Sequence, residues 1–119
     1  MIFAGKTRSI LFRIFQALAL LAALYHIISI FYPLDDSPYW RHIVFAAVCF
    51  FTIYGLEART LYFTFFIGLL LIQQYYSHGS HLIQTWTNSR QIHWISLFVL
   101  LALPVLLICL VEEQRGRKV

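Results

Sequence analysis

Charged residues are scarce in this chain, and their scarcity excludes most water-soluble folds. Asp, Glu, Lys and Arg make up only 12% of the 119 residues, whereas hydrophobic residues make up 61%. The mean hydropathy of +0.74 lies far above the balance of soluble domains. Because the hydrocarbon core of a bilayer is about 30 Å thick, each helical crossing needs roughly 20 apolar residues. The composition therefore predicts an integral membrane protein with little mass outside the bilayer.

Several catalytic and binding motifs are also missing. The two cysteines, Cys49 and Cys109, stand apart in apolar runs and form no CxxC pair for redox chemistry or metal binding. The sequence contains neither a Gly-rich phosphate loop nor a GxSxG nucleophile elbow. No acid lies inside an apolar run, which argues against a proton- or cation-coupled pump of the usual kind. The basic residues flank apolar runs and form no aromatic-interleaved patch, so we expect no nucleic-acid partner despite the net charge of +4.

The apolar residues fall into four runs, which predict helices at about 10–32, 39–56, 60–78 and 91–111. Pro33 and Pro38 flank an acidic turn after the first run. Glu57 and Arg59 mark a tight hairpin between the second and third runs, and a polar stretch up to Arg90 predicts a second loop. The expected fold is all-α, a four-transmembrane-helix up-down bundle forming a single domain over residues 1–119.

Basic residues are distributed unequally between the two sets of helix ends. Seven flank one set, namely Lys6, Arg8, Arg13, Arg59, Arg115, Arg117 and Lys118. Only Arg41 and Arg90 flank the other. Because cytoplasmic ends carry the excess of Lys and Arg, we expect both termini in the cytoplasm, in a bacterial inner membrane. The first run exceeds the roughly 7 to 15 residues of a signal-peptide core, which favours a retained helix over a cleaved leader.

Histidine is concentrated near the predicted outer ends of the helices. The five histidines are His26, His42, His78, His81 and His93, and each predicted helix contributes at least one. If the helices form an up-down bundle, these ends converge and several imidazoles face one shared cavity. The sequence therefore points to an outer-facing histidine-lined site.

The third helix carries the most concentrated part of this signal. Gln74, His78 and His81 follow the i, i+4, i+7 spacing of one helical face, provided that the helix continues through Gly79. Two imidazoles at i and i+3 can reach one metal ion, and imidazole suits copper, zinc or haem iron. The predicted ligands are His78, His81 and His26, with Gln74, Asp35, Asp36, His42 and His93 in supporting positions. The two aspartates can orient an imidazole or supply oxygen ligands.

Histidines at helix ends also have an ordinary structural interpretation. His42, beside Trp40 and Arg41, is typical of a side chain bonded to water at the headgroup level, and the same holds for His93 beside Trp94. His26 lies deeper, where an unpaired polar group costs several kcal/mol, so a bonded partner or a functional role is expected.

Three functional hypotheses follow. The first is a binding protein whose histidine-lined site holds a metal ion, haem or quinone. The second is an accessory subunit or assembly factor that docks onto a larger membrane complex, or a homo-oligomer, with the histidines as packing groups. The third is an interfacial enzyme with a histidine base and Arg41 or Arg90 holding an anion, although no nucleophile or paired acid accompanies the base. The first is our expectation and the second its main alternative.

Overall fold

The computed structural model describes residues 2–117, and its secondary structure is helical. The helices are α1 (Gly5–Phe31), α2 (Tyr39–Ala58), α3 (Leu61–Ser89) and α4 (Trp94–Arg117). Three of them, α1, α2 and α4, are long and apolar enough to cross a membrane. At 29 residues α3 is the longest, but its C-terminal part is too polar for it to join that group. The predictions of an all-helical fold and of a membrane protein are therefore confirmed in their coarse form.

The ends of α1 and α2 lie close to where the prolines and charges predicted them. Tyr32 precedes Pro33 and has an extended backbone, with φ −131° and ψ 100°, as the ring of a following proline favours. α2 begins directly after Pro38. It ends at Arg59, which adopts the left-handed conformation with φ 52°. The next residue, Thr60, caps α3 by accepting a hydrogen bond from the backbone N–H of Phe63 at 3.1 Å.

α3 is eleven residues longer than its predicted end at 78, because it continues to Ser89. Gly79 does not break it. The hydroxyl of Ser80 donates to the Tyr76 carbonyl oxygen at 2.7 Å, as does Ser89 to Thr85 at 2.8 Å, so these serines bond along the helix instead of forming a turn. The loss of hydrophobicity after residue 72 marks a change of surroundings and not the end of the helix. Likewise, the charged tail after residue 111 is helical to Arg117, and Lys118 lies outside the described residues.

Residues Ala4–Arg59 form one compact unit, the α1–α2 hairpin. Its helices are antiparallel, since the amide of Gln16 donates to the Ile53 carbonyl oxygen at 3.1 Å while His26 meets His42 at the other end. The fully buried Ala23 lies between these levels. Small residues of this kind allow two helix backbones to approach closely.

The second unit contains α3 and α4 together with the first three residues of the chain. Phe63, Ile67, Leu106 and Leu110 form its buried core. The backbone N–H groups of Ile2 and Phe3 both donate to the carboxylate of the buried Glu112, the latter at 3.1 Å. The start of the chain is therefore fastened to the last part of α4.

Candidate functional site

Three ionisable side chains meet where the turn at 32–38 joins α1 to α2. His26 Nδ1 lies 2.9 Å from His42 Nδ1, and His42 Nε2 lies 3.1 Å from Asp35 Oδ1. His42 is only 3% exposed, which is not the environment of a headgroup-level side chain bonded to water. The partner expected for the deeper His26 is thus His42, and Asp35 completes a carboxylate–imidazole–imidazole chain.

The Asp35 carboxylate accepts hydrogen bonds from several directions. The Tyr25 hydroxyl donates to Oδ2 at 2.6 Å, and the Ser37 backbone N–H donates to Oδ1 at 2.8 Å. These two bonds, followed by the one from His42, lower the pKa of Asp35 from 3.8 to about 2. The carboxylate is therefore ionised at neutral pH and acts only as an acceptor.

An ionised Asp35 determines the direction of every hydrogen bond in the chain. His42 Nε2 must carry a hydrogen to donate to the carboxylate, so a neutral His42 presents a lone pair at Nδ1. His26 Nδ1 then supplies the hydrogen between the two rings, which leaves Nε2 of a neutral His26 as an acceptor. Within residues 2–117, no hydrogen bond is made to His26 Nε2. One acceptor is thus directed away from the chain.

Aromatic rings fix the orientation of this acceptor. The His26 ring stacks on Phe45 with centroids 5.6 Å apart and an interplanar angle of 23°, and Tyr25 meets its edge at 5.3 Å. The Arg41 guanidinium lies over Phe45 at 5.6 Å from the ring centroid. His26 is half-buried and is held by rings as well as by its bond to His42.

A second cluster lies in the α3–α4 unit around Ser96, which is fully buried. Ser96 Oγ is 2.9 Å from His78 Nδ1 and 2.7 Å from His93 Nδ1. The backbone N–H of Ser96 also donates to His93 Nδ1 at 3.3 Å, so this nitrogen is an acceptor and His93 caps the start of α4. The ring of His81 stacks on that of His93 with centroids 5.9 Å apart.

The candidate residues therefore fall into two groups. His26, His42 and Asp35 belong to the α1–α2 hairpin, whereas His78, His81 and His93 belong to the α3–α4 unit. Gln74 lies on α3 and bonds to its neighbour Gln73. Asp36 is exposed in the turn beside Asp35.

No group of three His, Cys, Asp or Glu side chains is arranged to hold a metal ion, as far as residues 2–117 are concerned. The copper, zinc or haem site remains a prediction.

Two residues of these clusters escaped the sequence analysis. Tyr25 precedes His26 directly, and nothing in the pattern indicates that its hydroxyl reaches Asp35. Ser96 lies three residues after His93, which is the spacing between a helix cap and the N–H that it receives, and this spacing could have identified the pair.

Comparisons of the chain with models of protein families, with curated proteins and with solved structures give no match. Function is therefore inferred from the side chains themselves.

Proposed function

We propose that this protein is a four-span inner-membrane protein that binds a lipid-soluble ligand at the outer-facing end of the α1–α2 hairpin. The ligand carries a hydroxyl or similar hydrogen-bond donor, as a quinol does. The observation that carries this proposal is the directional chain from Asp35 through His42 to His26, which leaves His26 Nε2 as an oriented acceptor.

The position of His26 favours a ligand that enters from the lipid. His26 lies five residues before the last residue of α1, Phe31, which is about 8 Å along the helix axis at 1.5 Å per residue. An acceptor left without a hydrogen bond in an apolar environment costs roughly 1–3 kcal/mol, and a donor on the ligand removes this cost. A metal ion would require further ligands, and the described part of the chain gathers no set of three.

The contact of residues 2–3 with Glu112 supports four crossings with both termini on one side. These residues precede α1, and Glu112 lies near the end of α4. Three crossings, by α1, α2 and α4 alone, would leave the start of α1 and the end of α4 on opposite faces of the membrane. A crossing by α3 restores them to the same face, and the excess of basic residues makes that face the cytoplasmic one.

The proposal is tested by measuring the affinity of the full chain, purified without a His-tag in mild detergent, for a short-chain quinol. His26→Asn is the informative variant, because the asparagine amide can still donate to His42 while the position of Nε2 is left empty. We expect its affinity to fall about tenfold or more, as for the loss of a hydrogen bond worth about 1.4 kcal/mol.

Tyr39→Phe is the matched control, since Tyr39 is exposed at the same end of the hairpin, and it should bind as the unaltered protein does. Absence of quinol binding, or unchanged affinity in His26→Asn, would overturn the proposal. Elemental analysis of the same preparation tests the predicted metal site, because near-stoichiometric copper, zinc or iron would replace the quinol with a metal centre.

A further inference from the structure

We infer that uptake of one proton by the Asp35–His42–His26 chain changes the ligand that this site prefers, from a hydroxyl donor to a carbonyl acceptor. The inference rests on the proposed function and extends its substrate class to both members of a quinol/quinone pair. His26 Nε2 accepts a hydrogen bond from the quinol in the neutral chain and donates one to the quinone in the protonated chain.

The contact between the two rings carries the argument. His26 Nδ1 and His42 Nδ1 are 2.9 Å apart, so a single hydrogen lies between them and belongs to one ring or the other. In the neutral chain it belongs to His26, because His42 uses its own hydrogen on Asp35. The state of one nitrogen of His26 therefore depends on the state of its other nitrogen.

A proton that enters at His26 Nε2 shifts this shared hydrogen. His42 is the better place for the positive charge, since its Nε2 lies 3.1 Å from the Asp35 carboxylate. The hydrogen between the rings moves to His42 Nδ1, and His26 becomes neutral again with its hydrogen on Nε2. One proton enters, one hydrogen crosses from ring to ring, and no bond to carbon, oxidant or reductant is involved.

The charged and titratable groups around His42 in the hairpin favour this location for the charge. His26 and Tyr25 face His42 from α1, and Tyr25 directs its hydroxyl at the carboxylate. Asp35 supplies the negative charge from the turn. Arg41, the preceding residue on α2, adds a positive charge and directs its guanidinium over Phe45. The carboxylate bonds directly to His42, so its attraction dominates.

The consequence is an opposite pH dependence for the two ligands. Binding of the quinone is accompanied by uptake of one proton, so its affinity falls about tenfold per pH unit above the protonation midpoint of the chain. Binding of the quinol requires the neutral chain, so its affinity falls about tenfold per pH unit below the same midpoint.

The test is to measure the dissociation constants of a short-chain quinone and its matched quinol from mildly acidic to mildly alkaline pH, with the full chain in lipid nanodiscs. We expect the two profiles to slope in opposite directions and to cross at one pH. ¹⁵N NMR of histidine-labelled protein without ligand should show His26 Nε2 gaining its hydrogen over the same range.

Two aspartate variants separate the specific effect from general surface charge. Asp35→Asn removes the carboxylate that faces His42, so the crossing pH should fall by about one unit or more. Asp36→Asn removes an equal charge from the same turn and should leave the crossing pH nearly unchanged.

Parallel profiles for the two ligands, or equal shifts in the two variants, would overturn the inference while leaving ligand binding intact. Failure of both ligands to bind would instead overturn the proposed function on which the inference rests.

Discussion

Asp35 shows how one side chain can organise a site that is polar in an otherwise apolar protein. Its carboxylate accepts hydrogen bonds from Tyr25 on α1, from the backbone of Ser37 in the turn, and from His42 on α2. Each donor comes from a different part of the hairpin, so the aspartate fixes the positions of both helix ends as well as the direction of the histidine chain. Sequence alone suggested only that it might orient an imidazole.

The stability that Asp35 contributes should depend on pH. Its pKa is about 2 in the folded protein, below the usual 3.8, so the folded state favours the ionised carboxylate. The contribution is fully present above the usual pKa and is lost as the pH falls from about 4 to about 2. The measurement is the free energy of unfolding in detergent against pH, expressed as the difference between the unaltered protein and Asp35→Asn.

That difference should shrink through the stated acidic range and stay constant above it. Asp36→Asn serves as the control, because this exposed neighbour should give a smaller, flatter difference. A difference for Asp35→Asn that is independent of acidic pH would contradict the assigned hydrogen bonds.

At the scale of helices, the sequence predicted boundaries well where proline or charge interrupts an apolar run. The ends of α1 and α2 around residues 32–38 were placed within a residue because Pro33 and Pro38 restrict the backbone there. The end of α3 was missed because its sequence becomes polar at Gln73 while its backbone remains helical to Ser89. Hydrophobicity reports the environment of a helix, and helical hydrogen bonding continues without it.

The pairing of His26 with His42 could be anticipated only in part, for a related reason. Histidine positions along each helix were correct, and the i, i+4, i+7 face of α3 holds because the helix passes through Gly79. Which faces meet depends on the rotation of each helix about its axis, and a short apolar helix does not specify this rotation through its hydrophobic pattern.

Gly79→Ala should stabilise the protein. Gly79 has helical backbone without a positive φ, and a Cβ added there would meet no atom within 4 Å. Alanine then reduces the entropy of the unfolded chain at no steric cost, for a gain of about 0.5–1 kcal/mol. Unfolding in detergent measures it, and a loss of stability would contradict a continuous α3. Gly68→Ala, also without contacts in α3, should behave alike.

Over the whole chain, the most distant contact in sequence joins its beginning to α4. The carboxylate of Glu112 is 5% exposed and accepts from the backbone N–H groups of Ile2 and Phe3. The α1–α2 hairpin is consequently bounded by the other unit at both of its ends, through residues 1–3 on one side and Thr60 on the other.

Glu112→Ala should release the beginning of the chain. Loss of hydrogen bonds to a charged acceptor costs about 1.5–3 kcal/mol, and the backbone N–H of Phe3 should lose its protection from hydrogen exchange. Hydrogen exchange at Phe3 is the direct readout. The neighbouring Glu113→Ala should leave that protection in place, and protection that survives in Glu112→Ala would show that another group holds the segment.

The same contact constrains the order of events during biosynthesis. Ile2 and Glu112 are 110 residues apart in sequence, so the first residues are synthesised long before their acceptor exists. The start of a nascent chain must wait, with its N–H groups bonded to water, until α4 has left the ribosome. A chain truncated before α4 would keep this segment open to proteases, whereas a full-length chain conceals it, which gives the cell a local mark of completed insertion.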